Sequence, residues 1–185
     1  MNLQQIINEV NKDVDDTLEN GDLIGWVNRC MDDLAPYAQY QKSTTVSLVT
    51  NQKEYDLPSD YQKLLYLVDE YPMNQVQIKD FVSTGFKLWG NKLILQPTPS
   101  QTGSLDLYYE AKLPYLSNLS DIPVIPSQFH DLFILYTIAK AQYRQDEEAR
   151  QMNAMSEYNQ RKNDFIRFMT QNDEPSTIED VYYGG

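Results

Sequence analysis

The sequence predicts a mainly helical α+β fold: a four-helix bundle, a small antiparallel β-sheet or sandwich inserted between helices 2 and 3, and a flexible carboxyl-terminal tail. Three observations lead to this prediction. Near both ends of the chain, apolar residues recur every three or four positions, as on one face of a helix. Between these regions, short runs rich in β-branched and aromatic residues are typical of strands. The last fifteen residues carry four acidic residues and no basic ones, a composition that favours a tail ordered only by a partner.

Residues 1–42 are predicted to form a helical hairpin, the first half of the bundle. The first helix has apolar residues at helical spacing over residues 3–18, and it is expected to end at Asn20-Gly21, which tolerate left-handed backbone. The second helix is predicted over about residues 23–40. Pro36 either kinks this helix or ends it early, because proline removes a helical hydrogen bond.

Residues 43–120 are predicted to form the β-insertion. Its candidate strands share β-branched and aromatic content: residues 44–49, 64–68, 75–78, 86–89, 92–96 and 104–110. The second of these is expected to be more buried than the first, since it is almost wholly apolar. Gly90-Asn91 predicts a tight hairpin between two of the later strands.

Residues 121–170 are predicted to form the second helical hairpin, and residues 171–185 a flexible arm. The third helix should begin near Pro126, where a helix tolerates proline best, and its many apolar residues make it the strongest candidate for the core. The fourth helix is predicted to bury a broad stripe that consists of Met152, Met155, Tyr158, Phe165, Ile166 and Met169.

Charge and composition exclude several classes of function. Fifteen basic residues against 27 acidic ones give a net charge of −12, which argues against a protein that grips nucleic-acid phosphates. The single cysteine, Cys30, excludes an internal disulfide framework and a cysteine-rich metal site. No run approaches the roughly 20 apolar residues that cross a bilayer, so the chain is expected to be made in the cytoplasm without a membrane partner.

The search for chemistry finds no motif for a catalytic, cofactor or metal site. His130 is the only histidine, and it is interpreted as a surface or hydrogen-bonded residue instead of a base. Asp13, Asp15 and Asp16 suggest a calcium loop, but the glycine and the bidentate glutamate that such a loop requires are missing. Adjacent acids such as Asp32-Asp33 are read as a solvated face. We therefore predict a non-enzymatic protein without a cofactor.

Four segments follow one another in an order and spacing similar to those of a known family. Residues 23–29 contain an apolar pair before an asparagine and a basic residue. Residues 55–61 form a Tyr-x-Leu-Pro-x-Asp-aromatic turn. Residues 93–109 form a proline-rich hairpin, and Ile125-Pro126 precedes a long apolar helix. In these segments the chain resembles the head-to-tail adaptor proteins of tailed bacteriophages, which include the gp6-like connectors and tubular-tail gatekeepers.

The resemblance implies a ring of identical subunits, usually twelve, docked under the portal protein at the exit vertex of the capsid. It also implies that the next tail or head-completion protein binds the other side, and that double-stranded DNA passes through without specific binding. The virion would then be the site of action. By analogy, the arm docks on the portal, with four anchors that gain burial: Ile178, Val181, Tyr182 and Tyr183.

Two other readings of the sequence stay open. The chain is alternatively a non-enzymatic binding module whose β-insertion recognises a protein or a glycan, in which case it should be a monomer or small dimer with one apolar pocket. The carboxyl-terminal arm is alternatively a terminus without a partner.

Overall fold

In the computed structural model, residues 1–14, 18–81 and 83–171 are described. This part of the chain forms four α-helices, one 3₁₀ turn and two three-stranded antiparallel sheets. The predicted mixed α+β class is therefore confirmed. The chain divides into a helical unit, residues 1–38 and 114–185, and a sheet unit, residues 39–113.

The four helices of the helical unit are α1 (Leu3–Val10), α2 (Asn20–Ala38), α3 (Asp131–Arg144) and α4 (Glu148–Gln171). Helix α3 contacts the other three, and its Leu132 and Phe133 are completely buried. The expectation that this helix forms the core is confirmed.

The first helix is shorter than predicted, because it ends at Val10 and not near Asn20-Gly21. Residues 11–14 contain Asn, Asp and Val, which have low helix propensity, and a carboxylate at position 13 opposes the negative end of the helix dipole. Val14 is nevertheless buried. Apolar spacing alone therefore overestimated the length of the helix.

The second helix begins earlier than predicted, so that Asn20-Gly21 forms its first turn and does not stop the helix before it. Asp22 in this turn is favourable at the positive end of the helix dipole. The helix continues past Pro36 for two residues and stops where Gln39 has a φ of +46°, the left-handed conformation that ends many helices.

Helices α3 and α4 are joined by a Schellman turn centred on Asp146. Its φ is +59°, and the Glu147 amide donates to the Gln142 carbonyl at 3.0 Å, as this motif requires. In α4, Tyr158 and Phe165 are buried, but Met152 is 70% exposed. The prediction that Met152 belongs to the buried stripe is wrong, because Met152 lines an open surface cavity with Tyr143 beside the turn between α3 and α4.

The sheet unit contains β1 (Gln41–Leu48), β2 (Glu54–Asp56), β3 (Tyr61–Val68), β4 (Gly85–Trp89), β5 (Lys92–Gln96) and β6 (Gly103–Ala111). One sheet has the order β1-β6-β3 and the other β2-β5-β4. Both sheets contribute to one apolar core, which includes Leu67, Leu93 and Leu107. The hairpin predicted at Gly90-Asn91 is confirmed, with Trp89 paired to Lys92.

Three strand predictions need correction. Residues 75–78 make only an isolated bridge from Gln75 to Phe86, because alternating residues do not form a strand without a partner strand along their length. The turn predicted at residues 55–61 overlaps strand β2, Glu54–Asp56. Strand β3 is less buried than predicted, since it lies at a sheet edge and only Leu67 is buried, whereas β6 is the central strand.

Candidate interaction surfaces

The single cysteine and the single histidine of the chain are both buried in the helical unit. Cys30 is fully buried, and burial raises the pKa of its thiol. His130 is also buried, with Nδ1 2.7 Å from the Met1 amino group and Nε2 3.1 Å from the Ile125 carbonyl oxygen. Burial lowers the pKa of His130. The expected hydrogen-bonded role of His130 is confirmed, but it does not lie on the surface.

A polar cluster connects α2 to α4. The Tyr158 hydroxyl and the Lys162 ammonium both donate to Asp33, the latter at 2.7 Å. Burial acts to raise the pKa of Asp33, but these two donors outweigh it and the pKa falls below its ordinary value. The cluster satisfies a partly buried carboxylate, so its role is to stabilise helix packing. Within the described residues, no group of three or more His, Cys, Asp or Glu is placed to hold a metal ion.

One end of the helical unit is acidic. The Gln142 side chain donates to the Asp13 carbonyl oxygen, and Arg144 pairs with Asp22, so the end of α3 lies beside the start of α2. This acidic end comprises Asp13, Glu19, Asp22, Asp146, Glu147 and Glu148. Lys12, Arg144 and Arg150 lie in the same segments, so six carboxylates stand against three basic groups and this end repels other anions.

The opposite end of the helical unit exposes an apolar strip. The Leu3 amide donates to the Asp121 carbonyl and the Gln4 amide to the Leu119 carbonyl, which fixes residues 117–124 against the start of α1. The exposed members of this apolar strip are Met1, Leu119, Ile122 and Val124. Such a patch is typical of a surface that contacts another protein.

In the sheet unit, the outer face of the β1-β6-β3 sheet exposes a tyrosine pair. Tyr66 and Tyr108 are paired across β3 and β6, and both are exposed. Lys63 bonded to Glu110 lies at the next outward position. Two adjacent rings among polar side chains form a flat amphipathic platform, the kind of surface that aromatic residues provide at interfaces.

The loop from β3 to β4 presents a fixed aromatic side chain. Lys87, buried on β4, donates from Nζ to the backbone carbonyls of Ile78 and Asp80. Its ammonium also lies 4.8 Å from the centre of the Phe81 ring, which is itself 80% exposed. Lys87 therefore fixes the backbone of this loop, while the Phe81 ring remains exposed and can contact another protein.

The sequence matches one known family model over nearly its whole length. The model described as SU10 adaptor protein matches residues 1–179. The chain belongs to the SU10 adaptor protein family. This is a family of phage head-to-tail adaptors, so the resemblance inferred from the sequence is confirmed. No curated protein matches the chain.

Membership of the family makes this adaptor a structural component of a phage virion that interacts with other head and tail proteins. Adaptors of this family are, as a class, non-enzymatic. None of the helices in the described ranges has the length and apolar character needed to cross a membrane.

Several motif residues of the adaptor have structural roles. Asn28 forms two 2.9 Å hydrogen bonds with the backbone of Leu116, which ties α2 to the segment before the 3₁₀ turn Ser127–Phe129. Asp60 accepts hydrogen bonds from Lys42 and from the Tyr109 hydroxyl. The motif at residues 23–29 therefore stabilises the helical unit through Asn28. The motif at residues 55–61 stabilises the sheet unit through Asp60.

The four predicted docking residues of the adaptor, Ile178, Val181, Tyr182 and Tyr183, lie outside the described residues. The family match includes Ile178 and stops before the other three. Sequence reasoning missed Phe81 and Lys87, although a lysine between apolar residues of a strand is a signal that a buried partner exists.

Proposed function

We propose that this adaptor forms a closed ring of identical subunits that joins the phage head to the tail. In this proposal the ring contains twelve copies, docks under the portal protein and receives the next tail or head-completion protein on its other side. The observation that carries it is the family match, which spans both the helical and the sheet unit. We further propose that the four helices close as a bundle and the two sheets as a sandwich.

The distribution of charge supports passage of DNA through the ring. Across residues 39–113, seven lysines stand against eight acidic residues, a net charge of −1. The remaining residues carry eight basic and 19 acidic groups, a net charge of −11. We propose that the acidic end of the helical unit lines the channel, where its carboxylates repel phosphates and prevent the DNA from sticking.

This channel proposal has a direct test in phage particles. Replacement of Asp146, Glu147 and Glu148 by lysine should slow DNA release, because basic side chains would hold the phosphates. The same triple replacement at Asp32, Glu157 and Asp164, which lie on α2 and α4 away from this acidic end, is the charge-matched control. Equal release rates for both variants and the wild type would contradict the proposal.

The carboxyl-terminal arm is proposed to dock on the portal. Ile178, Val181, Tyr182 and Tyr183 are its proposed anchors, since buried aromatic and aliphatic side chains carry most interface energy. Deletion of residues 171–185 should abolish binding to the portal. Unchanged binding by the truncated adaptor would remove the docking role.

The experiment that tests the whole proposal is light scattering after size exclusion, on the adaptor alone and mixed with the portal protein of the same phage. A complex with near one-to-one subunit stoichiometry supports the adaptor ring. An adaptor that stays monomeric and does not bind the portal protein at any concentration would overturn the proposed ring.

One observation favours a second candidate, a binding module that uses the sheet unit. The exposed Tyr66 and Tyr108 pair is the kind of aromatic platform on which a sugar ring or peptide stacks. Titration with glycans should then give binding that Tyr108→Ala removes, with no assembly on the portal.

A further inference from the structure

The two lateral sides of the sheet unit differ. Strands β1 and β3 are the opposite edges of one sheet, and β2 and β4 are those of the other. In the loop after β3, Pro72 bridges to Val68 at the end of β3 and Gln75 bridges to Phe86 on β4, so the loop covers the side formed by β3 and β4. On the other side, residues of β1 and β2 line an open groove that no loop covers in the described residues.

The covered side carries a projecting aromatic residue in a fixed position. The Phe86 amide donates to the Asn74 carbonyl at 3.0 Å and the Val76 amide to the Phe86 carbonyl at 2.8 Å. Gly85 permits this approach, since a Cβ there would lie 2.3 Å from the Asn74 oxygen. Lys87 also fixes the backbone carbonyls of Ile78 and Asp80. Phe81 therefore loses little conformational entropy on binding, which favours affinity. Phe81 and the preceding loop residues 74–80 are called the knob.

The other side is an open groove along β1. It is lined by β1 residues Thr44–Ser47 and, across from them, by Tyr55, Leu57 and Pro58, and its volume is about 390 Å³. Strand β1 pairs with β6 over eight positions without a register shift, whereas β3 has two shifts. Bulges protect an edge against added partners, so β1 is the less protected edge.

We infer that the knob of one adaptor subunit inserts into the β1–β2 groove of a second copy. The two surfaces are separate parts of the same unit, the groove between β1 and β2 and the knob over Lys87 on the outer face of β4, so each copy can bind one neighbour by its knob and another by its groove. Contacts of this heterologous kind build rings when the rotation closes. The inference rests on the proposed ring and specifies the surface that forms it.

Charge and chemistry favour a second copy as the occupant. The sheet unit has a net charge of −1, so two copies meet there with little repulsion, in contrast to the strongly acidic helical unit. The groove is lined by Pro58, Thr44 and the exposed carboxylate of Asp56, while Leu57 beneath them is buried, so it suits a phenyl ring surrounded by backbone and polar groups. Tyr71, 78% exposed on the same loop, is a second exposed aromatic residue of the β3–β4 connection.

The first test compares surface variants of the full-length adaptor in the ring assay with the portal. Phe81→Ser should raise the concentration needed for assembly by about tenfold or more, because the burial of a phenyl ring is lost. Tyr143→Ser is the matched control, since Tyr143 is an aromatic residue 69% exposed in the helical unit. In the groove, Ser47→Arg should block assembly, while Ser104→Arg, at the paired position on β6, should not.

The second test is cross-linking with a short bismaleimide. In the portal complex, the double variant Lys79→Cys with Ser47→Cys, which keeps Phe81, should give a ladder beyond the dimer, because each copy is linked on two sides. Cys30 is fully buried and should not react. Tyr143→Cys with Ser104→Cys is the control pair and should remain uncross-linked.

The outcomes separate this inference from the function it rests on. Wild-type assembly that is matched by Phe81→Ser and Ser47→Arg, with no ladder, overturns the knob and groove but leaves the ring standing. Cross-linked dimers without higher species also overturn it, since they indicate a symmetric contact. A wild-type adaptor that never assembles overturns both the inference and the ring.

Discussion

The Tyr158 hydroxyl donates to the Asp33 carboxylate, which joins α4 to α2 across the helical unit. The two residues are 125 positions apart in the chain. Lys162, one turn further along α4, donates to the same oxygen, and the Cys30 sulfur lies 3.8 Å from the hydroxyl. The helical unit thus depends on a polar contact inside its apolar packing, and disruption of this contact should be measurable.

Removal of the tyrosine hydroxyl should destabilise the helical unit. Tyr158→Phe keeps the ring but deprives Asp33 of one donor, and a hydrogen bond to a charged group contributes roughly 1.5–3 kcal/mol. We expect the free energy of unfolding to fall by about 1.5 kcal/mol in urea titration. Tyr143→Phe, which alters an exposed ring, should leave it unchanged; equal losses for both variants would contradict the role of the contact.

The stability of the adaptor should depend on pH through His130. Because burial lowers the pKa of His130 below its ordinary value of 6.5, the unfolded chain binds this proton more readily than the folded one. The stabilisation is therefore fully present above pH 6.5 and decreases as the pH falls below it. Urea midpoints at pH 7.5 and 5.5 measure the change.

The matched variants for this pH dependence are His130→Gln and Asp33→Asn. The stability difference between wild type and His130→Gln should shrink from pH 7.5 to pH 5.5. The corresponding difference for Asp33→Asn should stay constant there and shrink only below 3.8, since the pKa of Asp33 is lowered from that value. A constant difference for His130→Gln would show that burial does not disfavour its charged form.

Strain at Asp146 should be relieved by glycine. A non-glycine residue in the left-handed region costs roughly 1–2 kcal/mol, and aspartate tolerates it better than alanine. We expect Asp146→Gly to be more stable than Asp146→Ala by about 1 kcal/mol in thermal unfolding. Both variants lose the same carboxylate, so their comparison isolates the backbone, and the reverse order would mean that the Schellman turn is absent.

Lys87 should control the order of the β3–β4 loop. Lys87→Met removes the donor to the Ile78 and Asp80 carbonyls, and loss of charge-assisted hydrogen bonds should reduce stability by about 1–3 kcal/mol. Limited proteolysis should then cleave within residues 75–84 sooner than in the wild type. Lys53→Met, an exposed lysine in the same unit, should cleave at the wild-type rate.

The sequence predicted the structure correctly where one local property, such as apolar content or turn chemistry, decided the outcome. The apolar residues of α3 indicated the core, and the turn residues Gly90-Asn91 indicated the hairpin between β4 and β5. Sequence patterns failed where tertiary context decided: the run at residues 64–68 suggested burial, yet β3 became an edge strand because β6, 40 residues later, took the centre. Strand burial depends on which strand lies between the others, and the chain order does not contain that information.

The surfaces were less predictable than the fold. Tyr66 and Tyr108 become neighbours only through the register of β3 and β6. Phe81 looks like any core phenylalanine in the sequence, and its exposure follows from how Lys87 fixes the loop. The acidic surplus was visible at once, but its separation into one unit required knowledge of which residues fold together.

The sheet unit occupies one uninterrupted stretch, whereas the helical unit is assembled from two separate stretches of the chain. During translation, residues 39–113 can therefore complete both sheets while α1 and α2 still lack α3. The apolar side chains of Ile6 and Val27 therefore remain exposed on the nascent chain until the ribosome has synthesised residues 114–185. We expect this delay to make α1 and α2 a substrate for chaperones, since exposed apolar surface promotes aggregation, and to make the yield of folded adaptor depend on the synthesis of residues 114–185.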